Sequence, residues 1–316
     1  MTVLGVILHL LFTANLWQAT LAAAVLLLLP ALGGTISERT GVVNIAMEGM
    51  MLTGAFFGVV ADLAWHNVWA ATGVAMLAGG LMASVHAIVS IQFRADQIVS
   101  GIAINIFAAG LTVFLINRIY GLQDVGHLGQ SDLLPNINVP VLDQLPFIGQ
   151  VLFQQNIIVY VALILLVATQ IVLFRTKLGL RMRAVGEHPM AADTAGINVF
   201  LIRYGAVITS GVLSGLSGAF LAIGVSNTFS PNMTDGRGYI ALAAMIFGKW
   251  TPLGAFVACL IFGLGEAIYA NNSIIHVSQY LLNMLPYLIT LVVLAGVVGR
   301  STPPAHDGLP YIPGAE

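Results

Sequence analysis

Long apolar runs separated by short polar breaks set the pattern of this chain. Residues 16–32, 68–93, 97–117, 157–174, 201–225, 253–270 and 280–298 read as helices that cross a bilayer, each meeting the requirement of about 17–25 residues. Residues 50–63 and 239–250 are apolar but short. The first is entered from a polar stretch, 33–49, that holds Glu38, Arg39, Asn44 and Glu48. The second is entered from 226–238, rich in Asn, Ser, Pro and Gly, and it ends in GKWTPLG. Irregular backbone at membrane depth is tolerated only where it is buried in protein or lines a cavity. Residues 3–14 are too short to span and read as an interfacial or partly inserted helix. The expected fold is an all-α polytopic membrane protein with broken helices and about eight to ten crossings.

Composition sharpens this. The chain is 58% hydrophobic and 8% charged, against about 25% charged in soluble domains, and its mean hydropathy is +0.95. A soluble globular protein is excluded. A net charge of −2 gives no footprint for nucleic acid. The single Cys259 lies in an apolar run, which excludes a disulfide framework and a thiolate metal site. The opening MTVLGVILHLLF has no basic n-region, so no removable signal peptide is expected.

Charge then orients the chain. Residues 175–200 form a strongly polar passage holding Arg175, Lys177, Arg181 and Arg183, with Arg203 just beyond. Basic residues beside a span are retained in the cytoplasm. Residues 120–155 carry Asp124, Asp132 and Asp143 and no Lys or Arg, as expected of an outer loop, and Arg300 puts the C-terminus inside. Within the basic passage, Pro189 suits the first turn of a short helix and Gly196 the residue past its end. About seven residues, roughly 10 Å, would then stand outside the bilayer. A helix so short has no core of its own and reads as a docking element for a soluble partner.

Ionisable and amide groups inside apolar runs are functional candidates because they cost free energy unless paired or solvated. Glu48 with Asn44 either lines or braces a polar translocation path, or Glu48 pairs with a neighbour such as Arg39 and holds the break shut. Asn105 either faces the pathway or bonds between helices. Glu266 reads as a buried structural group, and His86 as a hydrogen-bonded core residue. Ser210, Ser214, Gly218 and Ala222 recur at intervals of four beside Gly211, Gly215 and Ala219, which makes two faces for close helix approach. Residues 215–218 also match the GxSG of intramembrane rhomboid proteases. The nearest bases, His188 and His276, fall in loops, so packing is the expected role of Ser217. No HExxH and no GxxxxGK[ST] occurs, so the chain has neither a zincin site nor a P-loop of its own.

Residues 39–56 and 236–256 share a Gly–Arg loop, an Ile–Ala core and a closing GAF, on opposite sides by this topology. Paired interrupted segments in opposite orientation mark an inverted repeat around a midplane pathway.

The run ISERTGVVNIAMEGMMLTGAF (36–56) with RAVGEHPMAADTAGINV (183–199) resembles permease subunits of ABC importers in the branched-chain amino acid and ribose permease superfamily, on the nucleoside and simple-sugar branch. The likeness extends to the GxGY-like loop at 236–239 and to FGLGEA at 262–267. It implies a single transmembrane permease domain over 1–316, with repeats at about 16–118 and 157–298 and a cytoplasmic coupling loop at 175–200. It implies that Glu187, His188, Pro189, Ala192, Asp193, Ala195 and Gly196 form the coupling helix that docks on an ATPase, His188 standing where Asn is common. Asn44 and Glu48 match the family signature in the broken helix. The implied function is a non-catalytic permease subunit for nucleosides in the bacterial cytoplasmic membrane. Its implied partners are a second permease (identical or paralogous), an ATPase with two nucleotide domains that holds ATP and Mg, an extracytoplasmic substrate-binding lipoprotein and membrane lipid. No cofactor is expected on this chain. Simple sugars in the same kind of system, or an autonomous secondary transporter or channel, are the alternatives.

Overall fold

The computed structural model of the protein describes residues 12–121, 130–138, 140, 143, 145–270 and 301–314. The expected span at 280–298, nearly all of 3–14, Asp124, His276 and Arg300 lie outside the described residues. In chain order the elements are α1 (Ala14–Glu38), α2 (Met47–Trp65), α3 (Val68–Ala87, continued by a π-helical turn Ile88–Gln92), α4 (Gln97–Tyr120), β1 (Asn136–Asn138), α5 (Ile148–Phe153), β2 (Gln154–Asn156), α6 (Ile157–Arg175), α7 (Lys177–Glu187), α8 (Pro189–Thr194), α9 (Val199–Ala219, continued by a π-helical turn Phe220–Ser226), α10 (Arg237–Phe247) and α11 (Pro252–Ala270). Among the described residues, seven helical stretches are long and apolar enough to cross a membrane. α2 is one of them. The apolar run 50–63 is lengthened at both ends, by Met47–Gly49 and by Ala64 and Trp65, to 19 residues.

The polar breaks supply the caps that start these helices. Asn67 accepts from the Trp69 and Ala70 amides, Asp96 from Ile98 and Val99, Asn156 from Ile158 and Asn198 from Leu201. Each side chain satisfies backbone donors that the first turn leaves open.

α1 and α9 form the centre, buried along most of their length, with α2, α3, α10 and α11 packed round them. α4 and α6 lie outermost and expose Ile102, Ile106, Phe107 and Phe114, and Ile164, Val167 and Ile171. Small residues let the central helices touch backbone to backbone. A Cβ on Gly54 of α2 would sit 2.6 Å from the Gly215 Cα of α9, and Gly211 faces Gly79 of α3 as closely.

The molecule has two unlike ends. One gathers Glu38 and Arg39, the α6–α9 connection with its four basic residues, the turn at 248–251 and the tail 301–314. Here Arg39 and Arg183 both lie over the Phe174 ring, at 5.7 and 5.3 Å. The other end gathers Asp62, Asp132 and a two-stranded antiparallel pairing of β1 with β2, in register Asn136↔Asn156. Those two short strands sit in what reads from sequence as plain loop.

Both α1 and α9 lead into a break, 39–46 and 227–236, followed by a helix that starts inside the protein. α1 runs toward the basic end and α9 away from it. The two GAF triplets sit in unlike places: 54–56 lies well inside α2, and 254–256 lies in the first turn of α11.

Candidate functional site

The breaks meet at Glu48. Its Oε1 accepts from the Thr234 hydroxyl at 2.6 Å and the Gly236 amide at 2.9 Å, and its Oε2 from the Gly238 amide at 2.6 Å. These donors lie at the N-terminus of α10, where open amides and the helix dipole favour an anion. The Glu48 side chain fills that place. No room remains for a larger residue at 238, since a Cβ there would sit 2.5 Å from the Glu48 nitrogen. Arg39 is not its partner: Arg39 Nε donates to the Trp250 carbonyl at 2.9 Å.

Asn105 does the same for the start of α2. Its Oδ1 accepts from the Gly49 amide at 2.8 Å, while its Nδ2 donates to the Ile45 carbonyl and the Tyr239 hydroxyl. Asn44 donates to Ser210 Oγ at 2.8 Å and accepts from the Ala46 amide. His86 ties the Val43 carbonyl to Ser100, each at 3.0 Å. The three pathway candidates, Asn44, Glu48 and Asn105, are thus brought together round one break, and each is engaged by protein groups. Tyr239 and Thr234 complete the set. Their only sequence signal is that they flank the Gly–Arg loop of the second break.

At the basic end the docking helix α8 runs Pro189–Thr194, with Pro189 at its start and Gly196 beyond it at φ +80°. Pro189 and Ala192 face inward, while Glu187, His188, Asp193, Ala195 and Gly196 are exposed. The connection is longer than about seven residues, because Lys177, Arg181 and Arg183 belong to a helix of their own, α7. It also has a core. Val185, Ala192 and Val199 pack with Tyr311 from the tail, whose ring meets Phe200 edge-on at 5.5 Å.

The tail is bonded along this platform. The Ala305 amide donates to Glu187 Oε2 at 3.1 Å, and the His306 amide donates to the Gly186 carbonyl at 2.9 Å. Arg203, only 1% exposed, donates from Nε to the Thr40 carbonyl and from Nη1 to the Leu309 carbonyl. One buried guanidinium therefore joins the α1–α2 break to the tail. Gly41 makes room for it: φ is +84°, and a Cβ would lie 2.8 Å from Arg203 Nη2. Beside it, Asp307 faces Glu38, whose carboxylate also holds the Trp250 indole N–H at 2.6 Å. Burial pushes the Asp307 carboxyl up to about 7, against the lowering pull of a hydrogen bond with the Glu38 carboxyl, of the Arg203 charge and of the Gly308 amide.

The small-residue faces are used for packing. Ser210 meets Gly33 of α1, Gly215 meets Ala75 of α3 and Gly218 meets Met51 of α2, while Ser214 turns its hydroxyl onto the Ser210 carbonyl. Ser217 is buried and donates to the Leu26 carbonyl. Pro30 has no N–H to offer that carbonyl, so Ser217 takes the place of a missing helix bond. A cavity of about 680 Å³ opens between α1, α9 and α11, with Asp235, Arg237 and Glu266 in its wall. Among the described residues no cluster of His, Cys, Asp or Glu is placed to hold a metal ion.

Residues 17–294 match the family described as branched-chain amino acid transport system / permease component. The guanosine ABC transporter permease protein NupQ of Bacillus subtilis is 42% identical, over 94% of this chain and 96% of its own. The nucleoside ABC transporter permease protein NupC of Lactococcus lactis is 39% identical, over 90% and 93%. TsgC13 of Haloferax volcanii, named provisionally as a glucose ABC transporter permease, is 36% identical over 92% and 93%. No solved structure matches.

Proposed function

The chain belongs to the family of branched-chain amino acid transport system permease components, and from that premise we propose that it is the nucleoside-conducting permease subunit of an ATP-driven ABC importer. The observation that carries the substrate reading is its near full-length similarity to permeases named for guanosine and nucleosides. The geometry supports a neutral cargo. The N-terminus of α10 is taken by Glu48, and the first turn of α2 is held by Asn105. Helix N-termini that attract anionic substrates in other transporters are here filled by the chain's own side chains. A simple sugar is the second reading, favoured by TsgC13 and equally neutral.

In this reading the basic end is cytoplasmic, C-terminal tail included, in a bacterial inner membrane, because Arg175, Lys177, Arg181 and Arg183 cluster there. The two halves, each a central helix followed by a break, form an inverted repeat within one permease domain. A second permease, identical or paralogous, completes the pathway, and an extracytoplasmic lipoprotein delivers substrate. An ATPase with two nucleotide domains holds ATP and Mg and engages the exposed face of α8. Nothing in this chain hydrolyses ATP.

Coupling then has a physical route. Closure of the nucleotide domains moves α8, and α8 is packed on the tail and on the start of α9. Arg203 on α9 grips Thr40, at the start of the break that holds Asn44 and leads into Glu48 in the first turn of α2. A push on the platform is thereby delivered to the break.

The test uses Gly196, whose positive φ favours Gly and, less strongly, Asn. In the assembled transporter, Gly196→Val is expected to cut uptake more than tenfold and abolish receptor-stimulated ATPase activity, while the permease still folds. Gly196→Asn is expected to stay near the parent. Normal uptake and normal stimulation in Gly196→Val would rule out the coupling role.

A further inference from the structure

The cavity between α1, α9 and α11 carries charged groups that neither the Glu48 contacts nor the docking platform use. Its polar wall is built by the start of α10 and the end of α11. Arg237 Nε lies 3.2 Å from Glu266 Oε1. Its N–H is not aimed along that line, so the pair is held by charge and Nε makes no hydrogen bond. Arg237 is steadied from behind by the Met233 and Thr234 carbonyls, each 3.3 Å from Nη1. Asp235 adds a further carboxylate, and Ala22 and Ala23 leave the opposite wall small and apolar.

Three properties of this cavity point the same way. Its volume, about 680 Å³, falls within the range of about 300–1,000 Å³ seen for small-molecule sites. Among the described residues of the wall one cation stands against two carboxylates, a balance that disfavours phosphate and carboxylate ligands and offers acceptors to hydrogen-bond donors. It also lies in the halves of α1, α9 and α11 remote from the basic end, which is the outer half when that end is cytoplasmic. An importer takes in its substrate from that side.

We propose that this cavity is the site where the permease receives the nucleoside. Glu266 accepts hydrogen bonds from hydroxyl or N–H donors of the ligand, Arg237 holds that carboxylate in place, and Asp235 turns away nucleotides. The proposal rests on the nucleoside reading above and adds the residues that would meet the substrate. A charge-assisted hydrogen bond to a neutral ligand is worth enough that losing it changes affinity by about tenfold or more.

The alternative role for the pair is a lock between α10 and α11, and a charge swap separates the two. The experiment uses membrane vesicles holding the whole complex with its receptor, and follows initial uptake of radiolabelled guanosine and glucose. Glu266→Gln is expected to lower guanosine uptake about tenfold with normal assembly. The double variant Arg237→Glu with Glu266→Arg restores an ion pair, and is expected to recover thermal stability but not uptake. Uptake within twofold of the parent in Glu266→Gln, or full recovery of uptake in the swap, overturns the proposal. If the parent imports glucose and no guanosine, the nucleoside reading falls instead, and the effect of Glu266→Gln on glucose uptake still decides whether the cavity is a binding site.

Discussion

At Glu48 a single carboxylate receives three donors from the far end of the chain, Thr234, Gly236 and Gly238. A carboxylate offers only acceptors, so it suits this place and its amide does not. In Glu48→Gln an N–H₂ group must face backbone N–H or hydroxyl donors, and one buried donor is left unsatisfied. The expected cost is about 1–3 kcal/mol, seen as a lower melting temperature of the purified complex in detergent, with reduced uptake. An unchanged melting temperature would mean that the two breaks are not joined here. The presence of Glu48, Asn44 and Asn105 was legible in the sequence, because polar side chains stand out in apolar runs. Their partners were not. Nothing local relates Glu48 to a loop 186–190 residues away. Ser217 teaches the same lesson. Its GxSG setting suggests chemistry, yet the residue that explains it is Pro30, whose missing N–H leaves the Leu26 carbonyl for Ser217 to fill.

Helix ends were readable wherever a local rule governs them. Pro189 and Gly196 bracket α8 as expected, and Asn67, Asp96 and Asn198 cap their helices from within the polar breaks. α7 was not readable in the same way. Its Lys177, Arg181 and Arg183 look like anchors beside a span, and they hide the apolar positions Met182 and Val185 that bury it. The tail is silent in the sequence for a different reason. It follows the last apolar run, and its hold on α7, α8 and α9 comes from Tyr311, Asp307 and main-chain carbonyls, which carry no periodic signal. Asp307 gives this element a pH dependence. Its carboxyl, raised to about 7 by burial, keeps its proton when docked at pH values where the released tail, near the ordinary value of about 3.9, has lost it. Docking is therefore favoured by this group below pH 4, weakens as pH rises toward 7 and levels off above. Glu38 on α1 and Arg203 on α9 are the titratable groups that face it. Protease cleavage of the tail in the intact complex is expected to speed up between pH 5 and about 7.5, and Asp307→Asn is expected to flatten that profile. A profile equally steep in Asp307→Asn would assign the effect elsewhere.

At the scale of the molecule, the seven long apolar helices among the described residues make a membrane protein with a basic end, an acidic end and a centre where two broken segments meet. Hydropathy fixes the spans because lipid demands internally bonded backbone. It leaves open how they pack, since α1 and α9, central here, look no different in hydropathy from the outermost α4. The packing is set by close approaches at Gly54, Gly79, Gly211 and Gly215, and by the amide and carboxylate bonds at the breaks. In this assembly the platform and the break are joined by Arg203. The chain has no P-loop with which to drive itself. The most direct measurement is uptake of radiolabelled guanosine into proteoliposomes. The chain is reconstituted either alone or with its partner permease, ATPase and receptor, with ATP present or absent on the cytoplasmic side. The account predicts concentrative uptake only in the complete system with ATP. Guanosine accumulation by this chain alone, driven by an ion gradient without ATP, would contradict it.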